Sequence, residues 1–239
     1  MAAEGSGRAT RASTPGPDVA LAYLHPPEVG HNFTASLVHT VAYDLVHSQR
    51  IGELIPELCS SGAIVTGRNA VAQVFLDHLD LEWLWWVDAD MGWKADALDR
   101  LLATADPAER PVVGGLCFAW RDIAPDNLNG FRQVATPTIY DWIDVEGQGR
   151  RFKARDTYPA DTVLQCAATG SAMVLIHRSA LEKVRAENGD HWYDRIPVVD
   201  GYMGEDISFC ARLGAAGVPV HVDTSVRTNH MKRIYVSDC

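Results

Sequence analysis

The sequence predicts one α/β domain with a mostly parallel central sheet flanked by helices. Over the first half of the 239 residues, apolar runs of strand length alternate with segments whose apolar residues recur at helical spacing. The run LEWLWWV at 81–87 is apolar almost throughout, as expected of a strand covered on both faces. Order is predicted to begin at Val19, and the lead 1–18, rich in Gly, Ser, Ala and Pro, is predicted to be disordered.

The elements of the first half are predicted to alternate strictly between strand and helix. They are a strand at 18–24, a helix at 32–50, a strand at 62–65, a helix at 68–79, a strand at 81–87, a helix at 94–105 and a strand at 111–119. The apolar stripe of the first helix consists of Leu37, Val41 and Leu45, with Val38 and Val46 beside it. This alternation favours a parallel sheet.

The second half is more irregular. It is predicted to contain two strands around a Gly-rich turn at 135–155, an extended segment at 163–177 broken at 169–171, a helix ending near Asn188, a helix at 204–217 and a strand at 218–222. Ser179 and Glu182 match a capping box at the start of the first of these helices. Gly217 is the predicted stop of the second.

Composition narrows the class of protein. The formal net charge of −10 argues against binding nucleic acid by bulk charge. The five cysteines are far apart and odd in number, so we expect neither a disulfide framework nor a zinc ribbon, and a reducing cytoplasm fits them best. We expect no signal peptide and no transmembrane segment, because no apolar run has the required length.

Two carboxylates, Asp88 and Asp90, follow directly on the most apolar predicted strand. In open α/β sheets ligands gather at the carboxyl ends of the strands, and residues two apart in an extended segment project to the same side. Two converging carboxylates repel each other, and a divalent cation such as Mg²⁺ or Mn²⁺ would relieve this. The alternative is that both are turn and N-cap residues before the helix at 94–105.

Five segments together resemble the GT-A-fold glycosyltransferases, especially the family 2-like enzymes. They are WLWWVDADMGW at 83–93, GRNAVAQVFL at 67–76, ATGSAMVLIHRSALEKV at 168–184, GEDISFCARLGAAGVPVHV at 204–222 and TNH at 228–230. The resemblance implies a GT-A domain at 19–231, with a nucleotide-sugar-binding half at 19–120, an acceptor-binding half at 121–231 and a tail at 232–239. The sequence is similar to compact enzymes of this kind from phages and actinobacteria. This similarity implies that the protein is located in the cytoplasm of the bacterium or of the phage-infected host cell.

The resemblance implies transfer of a sugar from a nucleotide diphosphate sugar, with a UDP-sugar as first choice, to a hydroxyl acceptor. Asp90 would be a direct ligand of Mn²⁺ or Mg²⁺, Asp88 would contact the ribose or the metal through water, and His230 would complete the metal site. The alternative for His230 is a surface histidine near a terminus.

Catalysis is assigned to the acidic pair that opens the helix at 204–217. The resemblance makes Asp206 the general base that deprotonates the acceptor hydroxyl in an inverting reaction, and Glu205 would hold the acceptor or orient the site. Both residues would also stabilise the helix N-terminus without any catalytic role, and a retaining enzyme would need another function for Asp206.

Further binding residues follow from the same resemblance. Arg68 and Asn69 are expected near the nucleotide or diphosphate, although a helix cap and a surface arginine explain them too. Gly170 and Ser171 are expected on the acceptor side, unless they form a simple bulge. Trp192 is the tryptophan most expected to face the acceptor, because it lies in a loop-like stretch just before the acidic helix, although most tryptophans belong to cores.

Two other functions compete with this prediction. A sugar-phosphate nucleotidylyltransferase would use a similar sheet, but the segment after the first strand, YLHPPEVGHNF, lacks a Gly-rich loop with a basic residue. A nucleotide- or carbohydrate-binding module without catalysis is disfavoured by the intact Asp88, Asp90 and Asp206. The acceptor is left open between a protein, a glycan and a modified nucleic acid.

Overall fold

The computed structural model describes residues 16–59, 62–123, 132–147, 149–199 and 201–232. The first fifteen residues of the predicted lead and all but the first residue of the predicted tail lie outside these ranges. The helices are α1 His31–His47, α2 Ile64–His78, α3 Ala97–Thr104, α4 Arg178–Asn188 and α5 Glu205–Ala215. No helix in these ranges is long and apolar enough to cross a membrane.

The strands are numbered in chain order. They are β1 Val19–His25, β2 Ile51–Leu58, β3 Trp83–Val87, β4 Met91–Gly92, β5 Val112–Leu116, β6 Phe118–Ile123, β7 Arg132–Pro137, β8 Ile139–Val145, β9 Gly149–Ala154, β10 Val163–Cys166, β11 Ala168–Thr169, β12 Met173–His177, β13 Pro197–Val198, β14 Gly201–Tyr202, β15 Val220–Arg227 and β16 Asn229–His230.

Seven strands form the central sheet in the order β10-β15-β5-β12-β3-β1-β2. Strands β1, β2, β3, β5 and β15 run in one direction, whereas β12 and β10 run against their neighbours. The sheet is therefore mostly parallel, and the predicted α/β class is confirmed. Strands β8 and β9 form a hairpin that pairs with β11 beside this sheet.

Helices cover both faces of the sheet. Helices α2, α4 and α5 pack on the face that contains Leu84 and Trp86, and α1 and α3 pack on the face that contains Trp85 and Val87. All five residues of β3 are buried, as the sequence predicted. Because helices cover both of its faces, β3 is held firmly in the sheet, and Asp88 and Asp90 follow directly at its carboxyl end.

The strand predicted at 62–65 is wrong, because Ile64 and Val65 begin α2. The second strand of the sheet is β2, which ends before that segment. It is an edge strand with a largely exposed surface and a proline at Pro56, a residue that edge strands tolerate. Its sequence therefore lacks the apolar run that marks a buried strand.

Helix α1 exists as predicted, but it does not bury the predicted stripe. Leu45 and Val46 are exposed, whereas Ser36, Thr40 and Asp44 are buried. These polar side chains accept hydrogen bonds. Ser36 accepts from the backbone N–H of Trp93 at 3.0 Å, Thr40 from its indole at 2.9 Å, and Asp44 from the backbone N–H groups of 50 and 51 at 2.8 and 3.2 Å.

Helix α4 begins earlier than the capping box predicted. Its N-cap is His177, whose ring accepts a hydrogen bond from the backbone N–H of Ser179, so Ser179 already lies in the first turn. The hairpin at 135–155, the break at 169–171 and the stop of α5 are confirmed. At that stop Gly217 adopts a left-handed φ of +67° that a glycine accepts without strain.

Candidate active site

A cleft of about 930 Å³ opens where β1 and β3 end and α2 begins. Its walls include His25 at the end of β1, Glu28 after that strand, Ile64 of α2, Asp88 and Asp90 after β3, and Arg195. The carboxyl ends of parallel strands meet here, which is the edge at which α/β sheets bind ligands. The D-x-D segment is therefore exposed to a cavity large enough for a nucleotide-sized ligand.

Asp90 and His230 form a close pair beside this cleft. Strand β16 pairs with β4, and this places the Nε2 atom of His230 at 2.8 Å from Oδ2 of Asp90. Lys232 contacts the same oxygen at 3.3 Å. The hydrogen bond to Asp90 raises the pKa of His230. Burial by itself would raise the pKa of Asp90, but His230 and Lys232 outweigh it and lower that pKa.

Arg68 is a buried residue of α2 that forms an ion pair with Asp88. Its guanidinium is 2% exposed, donates to Oδ1 of Asp88 at 2.9 Å and lies over the rings of Trp86 and Tyr193, with Cζ 5.3 and 5.4 Å from their centroids. Burial opposes its charge, yet Asp88 and the other nearby acids outweigh this and raise the pKa of Arg68. Arg68 thus holds the carboxylate of Asp88 in place at the wall of the cleft, and Arg68 itself does not line the cleft.

A divalent cation fits Asp90 and His230 but not the full predicted set of ligands. No group of three histidine, cysteine or acidic side chains is arranged for metal binding in the described ranges, and Asp88 is engaged by Arg68. Atom Nδ1 of His230 donates to the carbonyl of Phe118 at 2.7 Å, so the neutral ring presents a lone pair on Nε2. Mg²⁺ and Mn²⁺ commonly use few protein ligands and complete their shell with water and phosphate oxygens.

Asp206 lies in the first turn of α5, next to the break between β11 and β12. Oxygen Oδ1 accepts from the backbone N–H of Ile207 at 2.8 Å, and Oδ2 lies 3.5 Å from the point where a Cβ on Gly170 would stand. Burial, followed by the charge of Glu205, raises the pKa of Asp206 to about 6. The structure therefore brings Gly170 and Asp206 together, and the carboxyl group has a raised pKa of the kind that is common at functional sites.

Three predicted contact residues have structural partners within the protein. Asn69 accepts from the backbone N–H of Tyr193 at 2.9 Å and donates to Asp194 at 2.6 Å, so its amide holds a loop. Trp192 is completely buried, and its indole donates to the carbonyl of Leu181 at 2.9 Å. The expectation that Trp192 faces an acceptor is wrong, because the ring fills the core under α4. Ser171 is buried as well, and its carbonyl accepts from Arg68 at 3.4 Å.

Several residues at this site were not predicted. Lys232 stands two residues after His230, and Arg195 lies in the loop before α5. His25 ends β1 and Glu28 follows it, and both line the cleft. Because ligands gather at strand ends in α/β sheets, the position of β1 in the sequence could have indicated them. Tyr140 of β8 lies near Asp206, whose charge adds to burial in raising the pKa of Tyr140. No spacing in the sequence marks Tyr140.

Sequence comparison finds a named relative. No protein-family model matches the chain. A segment of 138 residues is 28% identical to "Probable glycosyltransferase 3" of Oryza sativa subsp. indica, and it covers 55% of this chain and 29% of the rice protein. The chain thus matches less than a third of the length of that relative.

Structure comparison finds similar folds over almost the whole chain. A197 from STIV shares 16% identity at a TM-score of 0.53 and covers 90% of this chain and 86% of its own. GalNAc-T7, solved with UDP, GalNAc and Mn²⁺, shares 11% identity at a TM-score of 0.55 and covers 91% of this chain and 43% of its own. The predicted architecture is confirmed, and the chain has a GT-A-like α/β fold.

Proposed function

We propose that this chain is a metal-dependent glycosyltransferase that moves a sugar from a nucleotide diphosphate sugar to a hydroxyl acceptor. One juxtaposition carries the proposal. At one edge of a GT-A-like sheet, the Asp90–His230 pair stands beside a cleft of about 930 Å³, and Asp206, with its raised pKa, stands near Asp88.

The donor side of the site is assigned to the cleft. Asp90 and His230 would hold Mn²⁺ or Mg²⁺, which neutralises negative charge on the leaving diphosphate. Lys232 and Arg195 add positive charge at the same edge of a chain whose net charge is −10. UDP is our first choice of nucleotide, and Mn²⁺ of metal, because GalNAc-T7 was solved with both.

The acceptor side is assigned to Asp206. Its Oδ2 atom would take the proton of the acceptor hydroxyl as that oxygen bonds to the anomeric carbon and the bond to the diphosphate breaks. Such a displacement inverts the configuration at the anomeric carbon. Burial and then the charge of Glu205 keep the pKa of Asp206 high, and the charge of Arg68 limits the rise.

Arg68 and Asp88 have a supporting role in this proposal. The buried guanidinium compensates Asp88, Glu205 and Asp206 and so lets three acids stand near one another. Asp88 would then present its second oxygen to the ribose or to a metal-bound water. The glycosyltransferase domain would span 19–231. The scattered cysteines suit a reducing cytoplasm, where we expect the enzyme to act.

The test is release of UDP from a panel of UDP-sugars, with water as the acceptor, in the presence and absence of Mn²⁺. We expect slow release from at least one donor that needs metal and is lost in Asp206→Asn. A nucleotidylyltransferase would instead release pyrophosphate from a nucleoside triphosphate. Absence of UDP release from every donor, with metal and at high enzyme concentration, would contradict the proposal.

A further inference from the structure

The hairpin of β8 and β9 carries an aromatic strip that starts beside Asp206. Thr138, just before β8, contacts the position where Gly170 would carry a Cβ, and Asp206 lies against the same position. Residues alternate between the faces of a strand, so Tyr140 and Trp142 project to one side. Tyr140 pairs with Ala168 of β11, two residues before Gly170, so the strip begins beside the candidate base.

The strip continues onto β9. Phe152 is directly opposite Trp142 in the register, and the two rings stack with centroids 3.7 Å apart. Arg150, two residues earlier on the same face, has its Cζ 5.0 Å from the centre of the Trp142 ring. Stacking holds an otherwise mobile guanidinium in place, which lowers the entropy lost when it binds an anion.

A second arginine lies near the inner end of the strip. Arg121 of β6 is close enough to Tyr140 to oppose the rise of its pKa, and its only ion pair among the described residues is a long one of 3.8 Å to the exposed Asp156. The aromatic residues are thus accompanied by one arginine at each end. Along the strand, Trp142 lies roughly 13 Å beyond Thr138.

We propose that this strip is the acceptor-binding arm of the site and that it takes an oligosaccharide carrying carboxylate groups. The inference rests on the function proposed above and names its substrate class. Aromatic faces suit the apolar face of a pyranose ring, and the two arginines suit carboxylates spaced along a chain. The strip extends away from Asp206, so a chain end held on it would bring its terminal hydroxyl towards the base.

A nucleic acid fits these residues less well. Single-stranded nucleic acid is held by a continuous positive groove, whereas the chain carries a net charge of −10. Asp144 lies directly opposite Arg150 in the register and on the same face, which interrupts the positive charge. An oligosaccharide with widely spaced carboxylates can avoid Asp144, whereas a nucleic acid, with a phosphate at every nucleotide, would place a negative charge close to it.

The experiment is calorimetric titration of a hexamer of α-1,4-linked galacturonic acid and of its methyl ester into the full chain. The ester removes the charges and keeps the rings. We expect the acid to bind about 100-fold more tightly than the ester, about tenfold for each arginine, and Arg150→Gln to reduce this difference to about tenfold. Trp142→Ala should weaken both ligands.

Lys153→Gln is the matched control. Lys153 is an exposed cation of the same strand, but it lies on the opposite face from Arg150. Because Trp142 also supports the hairpin, the two β9 variants at exposed positions decide the outcome. Absence of acid binding by the wild type, equal binding of acid and ester, or an equal loss in Lys153→Gln would overturn the inference.

The same samples separate this inference from the proposed function. Titration of UDP with Mn²⁺ should give the wild-type affinity in Trp142→Ala, Arg150→Gln and Lys153→Gln, because none of these residues lines the cleft. Failure of UDP to bind would count against the glycosyltransferase proposal, whereas failure of the galacturonate to bind would count against the acceptor arm alone.

Discussion

At the scale of single residues, the protonation state of Asp206 decides whether the proposed reaction can proceed. Its carboxyl is largely withdrawn from water at the start of α5, next to Glu205, and its pKa is raised to about 6. A carboxylate with an ordinary pKa near 4 would be a weaker base at neutral pH. The burial that makes ionised Asp206 a stronger base also lowers the free energy of unfolding at neutral pH.

The first prediction concerns the pH dependence of UDP release. Only ionised Asp206 can accept a proton, so kcat/KM should rise about tenfold per pH unit below pH 6 and level off above it. A rate profile between pH 4.5 and 8.5 at saturating Mn²⁺ measures this. A limb centred near pH 4 would show that Asp206 has no raised pKa in the working enzyme.

The second prediction concerns the stability of Asp206→Asn. Folding raises the pKa of Asp206, so ionisation destabilises the wild type increasingly as the pH rises from about 4 to about 6. Asparagine does not ionise and keeps an oxygen that can accept from Ile207. The variant should gain about 3 kcal/mol at pH 7.5 and nothing at pH 4.

Denaturant unfolding at both pH values checks this second prediction, and transfer activity should fall about 10²- to 10⁴-fold in the same variant. Glu187→Gln, at an exposed position of α4, is the control for loss of one negative charge. A variant that is inactive and also less stable at pH 7.5 would indicate that Asp206 is a structural cap.

At the scale of elements, the sequence predicted helices and strands well wherever local burial is continuous. Strand β3 is apolar on both faces, so the burial of its five residues can be predicted from the local sequence alone. The buried face of α1 is not, because Ser36, Thr40 and Asp44 are buried to satisfy N–H groups of residues that lie elsewhere in the chain. Local periodicity carries no information about such partners.

The third prediction concerns the junction of α2 and α4. Arg178 donates to the carbonyls of Phe75 and Leu76 in the last turn of α2 at 3.1 Å, and it also donates to the carbonyls of 79 and 81. These include carbonyls that a helix end leaves without partners. A lysine cannot span them, so Arg178→Lys should lose about 1–3 kcal/mol.

Thermal unfolding of Arg178→Lys, with the exposed Lys183→Gln of the same helix as control, measures this loss. The affinity for UDP should stay unchanged, because the junction is at the opposite end of β3 from Asp88. Equal stability of Arg178→Lys and wild type would mean that one contact of Arg178 suffices and that the others contribute little.

At the scale of the whole molecule, the order of strands and helices along the chain predicted the α/β class and the position of Asp88 and Asp90 at the carboxyl end of a buried strand. The structure also brings His230 against Asp90 and Gly170 beside Asp206. The sequence did not predict the hydrogen bond from Arg68 to Asp88, because the two residues are 20 apart and meet only when α2 packs on the sheet. It also did not place Trp192, whose burial depends on how α4 and α5 enclose it.

The central claim is that Asp90 and His230 create a metal-dependent site for a nucleoside diphosphate. The most direct measurement is calorimetric titration of UDP with Mn²⁺ and with excess chelator, for the wild type, Asp90→Asn and the control Asp96→Asn, which lies outside the cleft. We predict binding that needs the metal, is at least about 50-fold weaker in Asp90→Asn and is unchanged in Asp96→Asn. UDP binding that ignores the chelator and survives Asp90→Asn would contradict the account.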